Sequence, residues 1–205
     1  MKKMVSKARI PIYAAVFFAC MMFPMAAEAH LNSTGMGPIY DGQLHFLMSP
    51  EDLVPVLALA LLAGLRGATF GRRTLFVLPA AWFCGGLIGL AVSAAAGSGV
   101  VSAVWFLLLG GLLAADAKLS LRVATAIAAL LGLYHGYFNG AGLGLNFTSV
   151  AVLLGLTFSV FVLIALAAAF VVQLRASWAR IAVRVAGSWI CASGLLLIGW
   201  VVRKG

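Results

Sequence analysis

Two of the three histidines and three of the five acidic residues of this 205-residue chain fall within one stretch, His30 to Leu53, which reads HLNSTGMGPIYDGQLHFLMSPEDL. Its ionisable members are His30, Asp41, His45, Glu51 and Asp52. Imidazole nitrogen and carboxylate oxygen together suit borderline divalent transition metals. With no thiolate in the set a soft copper(I) site is less favoured, although Met36 and Met48 keep copper in play, and zinc also fits the donors. Asp41 and His45 are four apart and share a face if that piece is helical. The third histidine, His135, lies in YHGYFNG, with Asn139 one helical turn further on.

Each of these residues has a purely structural alternative. Ser49-Pro50-Glu51-Asp52 reads as a helix start, with Ser49 as cap, Pro50 at the first helical position and two acids against the positive end of the dipole. Adjacent helical residues diverge by about 100°, so Glu51 and Asp52 do not both point inward, and Asp52 is the favoured ligand. His135 alone could donate to a carbonyl. Enzymatic chemistry is hard to build from this set. There is no GxSxG and no HExxH, and the later apolar runs carry no second histidine as base.

The elements that must position these groups are set by composition. With 64% hydrophobic and 9% charged residues, the chain has more apolar surface than a soluble domain of this length can bury, and the expectation is an integral membrane protein. The alternating pattern of a membrane barrel is absent, so the backbone must be satisfied inside helices. The fold class is all-α, a polytopic membrane helix bundle with six transmembrane helices after a cleaved signal peptide. The formal charge of +9 comes from basic residues dispersed singly between apolar runs, which argues against nucleic acid. Cys20, Cys84 and Cys191 form neither a disulfide framework nor a CxxC motif.

Residues 1–29 have a basic start at Lys2, Lys3, Lys7 and Arg9, an apolar middle and the ending Ala27-Glu28-Ala29, the three-part pattern of a signal peptide. Cleavage there makes His30 the first mature residue, with a free α-amino group beside its imidazole. Residues 30–49 then form an extracytoplasmic segment, glycine-containing and loop-like from Leu31 to Gln43, and residues 50–205 the transmembrane domain. Apolar segments are expected at about 51–66, 74–96, 100–115, 122–138, 146–173 and 184–202. The first, third and fifth connections carry Arg66, Arg72 and Arg73, then Lys118 and Arg122, then Arg175, Arg180 and Arg184, while the second and fourth carry no charge. That alternation puts the basic connections in the cytoplasm and the mature N-terminus outside the bacterial inner membrane. Glycines recur through the spans, which predicts close helix packing.

Depth follows from the same arginines. Asp52 lies 14 positions before Arg66 and His135 lies 13 after Arg122, so each rises roughly 20 Å from the basic face. The two should share a depth and pack together, below the outer surface, where an ionisable residue is a functional hypothesis by default.

The outline of leader, histidine at the mature start, motif at the head of the first span and histidine motif in the fourth resembles the HupE/UreJ family of nickel and cobalt permeases. Against that family's HPxxGxDH, the run here is His45-Phe46-Leu47-Met48-Ser49-Pro50-Glu51-Asp52, with Glu51 at the aspartate and Asp52 in place of the second histidine. Its HGxxHG-like motif corresponds to His135-Gly136-Tyr137-Phe138-Asn139-Gly140, with Asn139 for the second histidine. The resemblance implies a permease that captures nickel or cobalt through His45, Glu51, Asp52 and His135. Two imidazoles exchanged for oxygen donors imply a harder site. The alternative is a non-transporting metal-binding or accessory membrane subunit using the same surface. No organic cofactor is expected. The expected partners are the lipid bilayer and a metal cation, with a homo-oligomer or an accessory protein left open.

Overall fold

The computed structural model describes residues 33–92 and 97–204, all helix and connection. The expected signal peptide and His30 lie outside the described residues. Seven helices follow one another: α1 (Pro38–Met48), α2 (Pro50–Arg66), α3 (Ala68–Ala91), α4 (Gly99–Ala114), α5 (Leu121–Leu143), α6 (Phe147–Val172) and α7 (Ser177–Lys204). Helices α3, α5, α6 and α7 are each long and apolar enough to cross a membrane. α1 and α2 meet that test only as a pair, bent by 76° at Ser49, and α4 is a shorter apolar helix of 16 residues. By length and composition the described residues thus offer four spans, or five with the bent pair as one.

The structure departs from the sequence reading at α1. The stretch expected to be a loop becomes helical at Pro38, whose fixed φ suits the first helical position. Tertiary packing explains this. A β-carbon on Gly42 would come within 2.1 Å of the Val152 carbonyl oxygen, and one on Gly155 within 2.0 Å of that of Ile39, so α1 and α6 lie backbone against backbone. Phe46, fully buried, anchors the other end. The helix stops at Ser49 because the residue before a proline is driven out of the α region. Ser49 occupies the cap position of α2, yet its hydroxyl donates backward to the His45 carbonyl at 2.8 Å and caps nothing.

α2 is the axis of the bundle, touching every other helix. Val56, Ala58, Leu59, Ala60 and Leu62 on it are all but inaccessible. α3 and α5 are joined along a ladder of glycines: Gly132, Gly136 and Gly140 press on the carbonyls of Leu78, Trp82 and Gly86, and Gly85 and Gly89 press back on those of Leu133 and Tyr137. α4 pairs with α7 in the same way, through Gly110, Gly187 and Gly194.

The basic connections meet at one end. Arg66 pairs with Asp116, Arg180 donates to the Leu65 carbonyl at 3.1 Å, and Arg184 donates to the Ala114 carbonyl at 3.1 Å. Guanidinium groups therefore satisfy the exposed C-terminal carbonyls of α2 and α4, where cations are favoured by the helix dipole. The sequence reading gave Asp116 no role; here it joins the first basic connection to the third.

Candidate functional site

Asp52 and His135, 83 positions apart in sequence, are in direct contact. The carboxylate enters from the first turn of α2 and the imidazole from the middle of α5; both residues are 4% exposed. His135 Nδ1 lies 2.7 Å from Asp52 Oδ1, and the Asn139 amide donates to Asp52 Oδ2 at 3.0 Å. The same amide nitrogen donates to the His135 carbonyl at 2.9 Å, which locks it one turn beyond the histidine. Both Asp52 oxygens are thus engaged. The carboxylate also sits at the positive end of the α2 dipole, so its burial is compensated three ways.

This arrangement defines which imidazole nitrogen is open. With Nδ1–H donating to Asp52, the lone pair is on Nε2, which is buried and has no hydrogen-bond partner among the described residues. Carboxylate–imidazole pairs of this kind orient a histidine for a cation on its other nitrogen.

An aromatic box encloses the ring. Trp82 stacks on it, with centroids 5.5 Å apart and planes 17° from parallel, Tyr134 meets it edge-on at 5.1 Å, and Trp105 lies at 6.4 Å. Phe46 of α1 braces Trp82 from the far side at 6.0 Å, edge to face. The indole nitrogens of Trp82 and Trp105 are also buried without partners among the described residues. Trp82, Trp105 and Phe46 were missed in the sequence. The one available signal was Gly136 beside His135, since the close approach it permits carries Trp82 onto the ring.

The other expected donors are placed differently. Glu51, next to Asp52, turns outward and is exposed, as the 100° step requires. It remains in electrostatic reach of Asp52, His135 and His45. His45 is half-buried in the last turn of α1. Asp41 does not reach the pair: its carboxylate accepts from the Thr34 backbone at 2.5 Å and the Thr34 hydroxyl at 2.7 Å, fastening the segment before α1. Among the described residues no three His, Cys, Asp or Glu side chains converge as a ready cation cage.

The family model described as HupE / UreJ protein matches residues 18–197, most of the chain and both site helices. The chain belongs to the HupE/UreJ family. Members of this family are multi-pass membrane proteins concerned with metal-cation transport, and the all-helical bundle is consistent with that setting. No curated protein and no solved structure matches it.

Proposed function

We propose that this HupE/UreJ chain is an inner-membrane permease for a divalent transition-metal cation, nickel or cobalt, captured from the extracytoplasmic side at His135 Nε2. The observation that carries the reading is the unpartnered Nε2 on a ring oriented by Asp52 and Asn139 and walled by aromatic faces. A ring nitrogen so prepared gives a borderline ion a soft enough first donor. Glu51 and His45, at the same end of α2, supply charge and a second imidazole as the ion arrives, and the Asn139 carbonyl oxygen adds a neutral donor. Faces of Trp82 and Tyr134 favour a cation once water is stripped away.

Uptake of nickel and cobalt into proteoliposomes tests this reading. His135→Ala should abolish saturable uptake, whereas Asp52→Asn should lower metal affinity about 10- to 100-fold, the usual effect of removing an orienting partner. Equal uptake by the wild type and both variants would end the proposal. A second reading, a metal-binding subunit that does not transport, is favoured by the scarcity of polar groups along a path through the bundle, where the helices below Asp52 and His135 offer only hydroxyls such as Thr125, Thr157 and Ser188. It predicts metal binding to the purified protein that His135→Ala removes, with no uptake by any form.

Orientation is tested separately. In a background lacking Cys84 and Cys191, a membrane-impermeant thiol reagent applied to intact cells should label Gly142→Cys, in the last turn of α5 beside an uncharged connection, but not Lys118→Cys in a basic one; both positions are exposed. The reverse pattern would invert the topology.

A further inference from the structure

At the basic end, α3 and α6 leave a groove of about 240 Å³ between them. Its walls are built from small side chains, with Ala68 and Gly71 on α3 facing Ala165 and Ala169 on α6, and its mouth carries Arg72 and Gln173. We propose that this groove binds one anionic phospholipid, its phosphate at Arg72 and Gln173 and the first part of an acyl chain along the alanines.

Charge decides the occupant. Arg66, Arg180 and Arg184 are engaged by Asp116 and by helix-end carbonyls, but Arg72 is exposed and makes no ion pair or side-chain hydrogen bond among the described residues. A guanidinium left free at the rim of an apolar groove matches a headgroup phosphate above a hydrocarbon tail, and basic pockets between spans on this side of a membrane take such headgroups. The second groove, about 550 Å³ beside Pro79 and Phe158, is lined by no charged residue and so has no means of choosing a headgroup. Length also fits: Ala68 to Leu75 rises about 10 Å, and Ile164 to Gln173 about 13 Å, which spans the interface and the upper hydrocarbon.

The test uses the full-length protein in nanodiscs of mixed phosphatidylglycerol and phosphatidylcholine, with retained lipid read by native mass spectrometry after release into detergent. The wild type should keep phosphatidylglycerol preferentially. Arg72→Gln should cut that preference about fivefold, the weight of one basic residue near an anionic surface, and Ala169→Phe should block the groove and abolish it. Arg122→Gln, which removes an exposed charge outside the groove, should leave it intact. Equal losses for Arg72→Gln and Arg122→Gln would overturn the proposal as general surface charge. So would undiminished retention in Ala169→Phe, or displacement by glycerol phosphate as effective as by the lipid.

Discussion

His135→Ala is expected to cost the fold about 3 to 5 kcal/mol, the range for leaving a buried charge without its partner. The substitution leaves Asp52 buried with only the Asn139 amide and the helix dipole as partners, and removes the ring on which Trp82 stacks. Unfolding of the purified protein in mixed micelles, followed by titration with a denaturing detergent, measures the loss. The double variant His135→Ala with Asp52→Leu removes the orphaned charge and should be more stable than His135→Ala alone. The coupling between the two sites should exceed about 1 kcal/mol, as expected for residues in one hydrogen-bonded network. Strictly additive losses would mean that the pair is not an energetic unit.

Gly136→Ala is the second large effect. Its new β-carbon would meet the Trp82 carbonyl oxygen at 2.0 Å, a contact with backbone that no rotamer can relieve, so α3 and α5 must part. Overpacking of this kind costs about 1 to 3 kcal/mol and sometimes more. Because Trp82 moves with its backbone, the stack on His135 should loosen too, and tryptophan emission should shift as the buried indole is disturbed. Gly142→Ala on the same helix is the control. Nothing lies within 4 Å of that position, and exchanging a helical glycine for alanine there should stabilise by about 0.5 to 1 kcal/mol. Equal stability of the two variants would show that the glycine ladder does not hold the helices together.

Much of the bundle was legible because lipid exposure leaves a coarse mark on sequence. Each of the six apolar segments coincides with a helix from α2 to α7, and Arg66, Arg180 and Arg184 gather at one end of the bundle. The depth count brought Asp52 and His135 to one level because both rest on continuous helices, whose rise per residue is fixed. α1 was illegible for the opposite reason. Glycines and a proline mark turns when only neighbours are considered, and Gly42 is helical only because Val152 lies against it. Ser49 misled in the same way, since the spacing of a cap says where a hydroxyl sits but not which carbonyl it chooses. Gly136 marked a close approach but not its partner, because the stacking of Trp82 depends on the register between α3 and α5, which their separate sequences do not state.

The central place of α2 also bears on how the protein is made. It is the first of the six apolar helices to leave the ribosome, is 17 residues long, and carries Glu51 and Asp52 at one end and Arg66 at the other. On its own it spans a bilayer poorly, and its final neighbours extend to α7, the last helix synthesised. Its contacts are therefore the ones with the longest wait. Assembly cannot proceed helix by helix from the N-terminus, and the Asp52–His135 contact closes only after α5 has entered the membrane. Conditions that slow synthesis between α2 and α5 prolong the exposure of an acidic helix end to lipid and to the insertion machinery, and at that stage membrane chaperones have the most to protect.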